Sequence, residues 1–298
     1  MNDVAEATQS SAPAAISPNP QDAYPPAQVA RLVEQVGVRK ANLPVRATVM
    51  LGMLAGAFIA FGAMYFTVAI TGNELGFGPA RLLGGLAFSL GLVLVIVGGA
   101  ELFTGNNLIV MAWAERKITT IQLLRNWTLV YAANLVGALG CALMGAWSGT
   151  LNLGDGAVGA TAVRIAEAKV ALGFGEAFFR GVLCNTLVCL AVWLCFAAQS
   201  VASKILAIVL PVSAFVALGF EHSVANMYLI PVAMLAGAEG VSVAGFIGNL
   251  IPVTLGNIVG GGVFVALVYW LIYLYGQGQA TTEPAGDARR SGTRGSDS

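Results

Sequence analysis

Two short stretches place side chains capable of chemistry inside otherwise apolar sequence. One reads GFEHSVAN, Gly219 to Asn226, and sets Glu221 beside His222, the single histidine of the chain. The other reads GAELFTGNN, Gly99 to Asn107, and carries Glu101 and Thr104. Ionisable groups at bilayer depth are costly unless they face a cavity or a partner, which makes Glu221 and His222 a candidate functional site. Imidazole has an unperturbed pKa of about 6.5, so it can take and release a proton near neutral pH. Glu221 suits another task, that of steadying a break in the backbone. Gly219 stands directly before the polar group, and a mid-membrane break is tolerated only where the backbone is buried in protein or lines a wet path.

The spacing repeats. Glu101 precedes Asn106 by five positions, as Glu221 precedes Asn226, and the two pairs are 120 positions apart. Downstream, Asn134 in Ala-Asn-Leu-Val-Gly and Asn257 in Gly-Asn-Ile-Val-Gly are 123 positions apart. The elements that must position these residues are membrane spans. Of 298 residues 57% are hydrophobic and 10% charged, with mean hydropathy +0.78, more apolar surface than a water-soluble domain can hide. A length of about 20 apolar residues per crossing gives six spans, near 47–70, 82–113, 127–147, 177–196, 205–235 and 246–275. The second and fifth are too long for one crossing and contain the polar stretches. Each half of the repeat then has three crossings, so the second half is inverted, and the two breaks should meet near the midplane.

The remaining sequence bounds the partners and the chemistry. Net charge is zero with dispersed basic residues, so nothing points to nucleic acid. Cys141, Cys184, Cys189 and Cys195 lie inside apolar runs and form neither a disulfide framework nor a metal pair. One histidine excludes a bis-His haem anchor, a His-rich metal site and a twin-His ammonium pore. Residues 1–26 and 276–298 read as disordered tails, residues 27–46 as an amphipathic cytoplasmic helix and linker, and 47–275 as the six-span domain. The glycines clustered within spans read as packing positions. Arg31, Arg39, Lys40, Arg46, Arg116, Lys117, Arg125 and Lys204 fall on one side, with Arg289, Arg290 and Arg294 of the tail. Arg81, Arg164, Lys169 and Arg180 fall on the other. That bias predicts cytoplasmic termini and an inner-membrane location.

The stretches FSLGLVLVIVGGAELFTGNN (88–107), NWTLVYAANLVGAL (126–139), NTLVCLAVW (185–193), FVALGFEHSVANM (215–227) and NLIPVTLGNIVGGG (249–262) resemble the formate–nitrite transporter family. The resemblance covers about residues 30–275. It implies an all-α membrane protein of aquaporin-like protomers in a homopentamer, each with a pore for small monovalent anions, and no enzyme activity, cofactor or metal. Formate ranks first as substrate. Nitrite and hydrosulfide follow, and a non-transporting membrane subunit of a redox complex is the reading from another class. By resemblance His222 is the central histidine, with Thr104 and Asn257 completing a polar pore centre. Leu92 and Phe215 match an apolar constriction on one side and Phe88 one on the other, while Lys169 and Asn185 match the outer vestibule. Glu101, Glu221 and Asn226 fit structural roles at the breaks. Paired Asn-Pro-Ala signatures are missing, which argues against a water or glycerol channel. A weak-acid anion crossing apolar constrictions is helped by protonation, which His222 could supply. The rival reading keeps His222 as a fixed electrostatic and hydrogen-bonding post.

Overall fold

Apolar runs interrupted by glycine and Asn-rich segments dictate helices that stop inside the bundle. The computed structural model describes residues 23–276. The expected tails therefore lie outside the described residues, apart from their inner ends. Along the chain run α1 (Pro26–Ala41), α2 (Val45–Ile70), α3 (Phe77–Gly98), α4 (Val110–Ala114), α5 (Thr120–Trp147) and α6 (Ala157–Val170). The second half follows with α7 (Phe174–Ala197), α8 (Val201–Ala217), α9 (Ser223–Leu235), α10 (Val243–Ile258) and α11 (Val268–Tyr273). Four of these, α2, α3, α5 and α7, are long and apolar enough to cross a membrane alone, and so is the continuous stretch Val243–Tyr273. The remaining crossing is made by α8 and α9, of 17 and 13 residues, on either side of a break. The expected second span resolves into full-length α3, a non-helical segment, a 3-10 turn at Gly105–Ile109 and short α4.

Both breaks begin the same way. Gly99 ends α3 at φ 79° and Gly219 follows α8 at φ 74°, in the left-handed region open to glycine at little cost. In the second break the chain then runs extended through His222 into α9, and in the first it passes through a non-helical segment and a turn at Thr104 into the 3-10 turn. Contacts repeat between the halves as well: α2 packs on α3 and α5, α7 packs on α8 and α10, and α3 meets α8 across the pseudo-symmetry. A Cβ on Gly260 would run into the Val182 carbonyl, so close approach of helices explains at least this part of the glycine run. The three glycines 260–262 lie in a π-helical segment, Val259–Leu267, that joins α10 to α11.

The amphipathic helix forms one residue earlier than its expected start. Its apolar face, including Val29, Val33 and Ala41, packs on Leu108, Ile109 and Met111 and on Trp193 near the end of α7. Thus α1 covers one end of the bundle, and α6 covers the other through Ala166, packed with Ile230 and Ala233 of α9.

Candidate functional site

A backbone that stops being helical inside an apolar bundle strands N–H and C=O groups, and each buried one needs a partner. The two spacings that recur across the repeat supply them. Asn134 donates from Nδ2 to Gly52 O (2.7 Å) and Glu101 O (2.9 Å), and its Oδ1 accepts the Phe103 N–H (2.9 Å). Asn257 does the same one half later, donating to Gly181 O (2.9 Å) and Glu221 O (3.0 Å) and accepting from Ser223 N–H (2.9 Å). Asn257 therefore stands beside the centre as a fastener of backbone, with both of its polar atoms engaged.

A second duplicated unit clamps each glutamate. Lys40 Nζ donates to Glu101 (2.7 Å), Asn106 Nδ2 donates to Glu101 (2.7 Å) and to Asn126 Oδ1 (3.0 Å), and Asn126 Nδ2 returns to Lys40 O (3.1 Å). Opposite, Lys169 donates to Glu221 (2.8 Å), Asn226 donates to Glu221 (2.6 Å) and Asn249 Oδ1 (2.7 Å), and Asn249 returns to Lys169 O (2.9 Å). Burying one unpaired charge is far costlier than burying a paired and hydrogen-bonded one, so lysine and glutamate stabilise each other here. Lys169 is thus part of a clamp, with its side chain 14% exposed. Asn126 and Asn249 escaped the sequence reading although they share the 123-residue offset. Lys40 had no such signal, because α1 lies outside the repeat.

The breaks meet. Thr104 Oγ1 and His222 Nε2 are 3.0 Å apart, both buried. His222 also caps α9, its Nδ1 accepting the Ala225 N–H (3.1 Å). A nitrogen that accepts carries no proton, so in the neutral ring the proton sits on Nε2 and is donated to Thr104. The threonine hydroxyl keeps its own hydrogen to donate onward. Three side-chain donors fix the Thr104 carbonyl: Asn107 Nδ2 (3.2 Å), Asn185 Nδ2 (3.2 Å) and Cys189 Sγ (3.3 Å). Asn185, expected in a vestibule, is instead fully buried between the halves, and its amide also donates to Asn257 O (2.7 Å).

Two cavities approach this centre from opposite ends and share no lining residue. One, of about 290 Å³ beside α1, is lined by Leu92 and by Arg39, Lys40, Glu101 and Lys204. The other, of about 360 Å³ beside α6, is lined by Phe88, Phe215 and His222 and by Arg81, Arg164, Lys169, Arg180 and Glu221. Cations outnumber carboxylates in both, which favours anions. Phe88 and Phe215 meet edge to face at 5.6 Å, and Phe215 stacks on the His222 ring at 6.0 Å. The structure therefore regroups the apolar residues: Phe88 and Phe215 face the α6-side cavity together, and Leu92 faces the other.

Broken helices meeting from two inverted halves, between two cation-lined cavities, define the class of polytopic transport proteins with a path at the repeat interface. A family profile described as "Formate/nitrite transporter" matches residues 27–271. The chain is 44% identical over 275 residues to "Formate channel FocA" of Escherichia coli (strain K12), covering 86% of this chain and 96% of that one. It is 41% identical to the "Probable formate transporter" of Methanothermobacter thermautotrophicus, covering 84% and 97%. Among solved structures, a "Pentameric formate channel with formate bound" superposes with TM-score 0.73 at 42% identity, covering 77% of this chain and 98% of that one. An "FNT family ion channel" gives 0.75 at 32% identity, covering 82% and 98%. The chain belongs to the formate/nitrite transporter family, and it is a multi-pass membrane protein.

Proposed function

We propose that this protein is a channel for the small monovalent anions of weak acids, formate foremost, in which the permeant crosses the centre as the neutral acid. The observation that carries the reading is the buried Thr104–His222 pair, set where two helix breaks meet between two cation-lined cavities. A carboxylate moved from water into a low-dielectric core faces an idealised penalty on the order of 20 kcal/mol, and several kcal/mol after relaxation. Protonation removes most of it. The anion gathers in a cationic cavity, meets the aromatic pair or Leu92, and takes up a proton at the centre. His222 is the titratable side chain there, and Thr104 orients the acid with its free hydroxyl hydrogen. Asn257, Glu101, Glu221 and Asn226 hold the breaks. Lys169 both clamps Glu221 and lends its charge to the cavity, while Asn185 keeps the Thr104 carbonyl in place.

Formate is favoured because relatives named as formate channels or transporters align over nearly their whole lengths. The pentameric relative supports a homopentamer, and the two cavities within this single protomer support a path in each subunit. Basic residues crowd the α1 end, which supports a cytoplasmic face there, with both termini cytoplasmic, in an inner membrane. Flux into proteoliposomes, compared for formate, nitrite, hydrosulfide and chloride, tests the substrate. Formate should pass fastest and chloride slowest. Faster nitrite or hydrosulfide flux would reassign the substrate, and no flux with any of them would leave the redox-subunit reading.

A further inference from the structure

The two halves share one backbone scheme, so a side chain that breaks their likeness answers a demand made on one side only. Arg180 is such a residue. Its carbonyl accepts the Glu221 N–H at 3.2 Å, just as the Leu51 carbonyl accepts the Glu101 N–H at 3.2 Å. The scheme takes leucine in the first half and carries a guanidinium in the second. Arg180 donates from Nη1 to Gly219 O (3.1 Å) and from Nη2 to Glu176 (2.6 Å), whose side chain is 53% exposed.

Arg81, on α3, reaches the same segment from the opposite half. It donates from Nε to Ala217 O (2.9 Å) and from Nη2 to Val216 O (3.1 Å). The two guanidinium groups converge on Gly219: a Cβ there would lie 2.8 Å from Arg81 Nη2 and 3.6 Å from Arg180 Nη1. Capping accounts for the bonds to Ala217 O and Gly219 O, but it does not call for two guanidinium groups to converge, and Val216 O already accepts the Gly219 N–H at 3.1 Å. Two like charges side by side repel, and an anion between them turns that repulsion into attraction. Arg81 has five N–H donors, and the two carbonyls engage its Nε and Nη2, so donors remain for a ligand. Both arginines line the α6-side cavity, on whose wall Phe88 and Phe215 also stand.

We propose that Arg81 and Arg180 form a loading site for a small carboxylate or similar monovalent oxyanion, ahead of the aromatic pair on the α6 side. The proposal rests on the anion-channel reading above. Guanidinium suits it, because its planar fork pairs with carboxylate oxygens through charge-assisted hydrogen bonds. The site makes transport sided. Formate supplied at the α6 face should half-saturate flux at lower concentration than formate supplied at the α1 face, and the difference should shrink as salt rises.

The test is radiolabelled formate uptake into proteoliposomes sorted by orientation, for wild type, Arg180→Leu, Arg180→Lys and Arg81→Gln. Leucine is the residue the first half carries at the matching place, so Arg180→Leu should assemble, as size-exclusion chromatography will show. From the α6 face, Arg180→Leu should raise the half-saturating concentration roughly tenfold, the scale of one lost charge-assisted pairing. Its response to salt should flatten, and Arg180→Lys should restore that response. Uptake from the α1 face should saturate as in wild type. Unchanged half-saturation and salt response from the α6 face in Arg180→Leu and Arg81→Gln would reduce both arginines to helix caps and overturn the proposal. Should Arg81→Gln fail to assemble, Arg180→Leu decides alone. Wild-type vesicles without formate flux would instead overturn the channel reading itself.

Discussion

His222 is constrained at both ring nitrogens, and the constraints differ. Nδ1 accepts a backbone N–H at the start of α9, so a second proton on the ring must displace Ala225 from it. A neutral ring that gave up its Nε2 proton would be left an imidazolate, so His222 donates through Nε2, where Thr104 stands at 3.0 Å, only once a proton from bulk has reached Nδ1 and released Ala225. This makes the Thr104 hydroxyl the group next in line. Thr104→Val keeps the shape and removes the hydroxyl, and a buried polar partner left unsatisfied costs about 1–3 kcal/mol. Formate flux in reconstituted vesicles should fall roughly tenfold in Thr104→Val, since each 1.4 kcal/mol is a factor of ten. It should stay near wild type in Thr104→Ser. Equal flux in valine and wild type would confine Thr104 to packing.

At the scale of the elements, the breaks persist because two asparagines hold them. Asn134 and Asn257 each engage three backbone groups that lie among apolar neighbours. Replacing either by alanine strands those groups, at about 1–3 kcal/mol for each one left unpaired. Asn134→Ala and Asn257→Ala should each lower the thermal midpoint of the detergent-solubilised assembly clearly, whereas Asn152→Ala, on an exposed turn, should not. A midpoint unmoved in both would show that the breaks do not depend on them. The recurrence of these asparagines was legible beforehand, because their type and spacing repeat across the halves, but their task was not: the backbone groups they hold are named only by the folded breaks. Nor were the lysine clamps legible. Lys40 and Lys169 sit 61 and 52 positions from their glutamates, on α1 and α6, and only the packing of those helices onto the bundle ends brings them in. The grouping of Phe88 with Phe215 was likewise hidden, since it depends on how α3 crosses α8.

Over the whole molecule, near-symmetry builds the frame and departures from it give direction. Both halves contribute a left-handed glycine, an asparagine fastener and a lysine–glutamate–asparagine clamp. Only the second contributes a histidine at its break, and only the α6-side cavity is walled by Arg81, Arg164 and Arg180. The repeat, the six crossings and the meeting of the breaks could be read from spacing and hydropathy, while the burial of Asn185 and the engagement of Asn257 could not. Both of those follow from contacts between halves, where a side chain's partner is distant in sequence. The centre of the account is that His222 couples passage of the anion to a proton. Formate flux measured against pH, for wild type and His222→Asn side by side, tests this most directly. Wild-type flux should rise as pH falls, while His222→Asn, which keeps a hydrogen-bonding amide but cannot titrate, should lose most of that dependence. Superimposable pH profiles would contradict the account and leave His222 a fixed post.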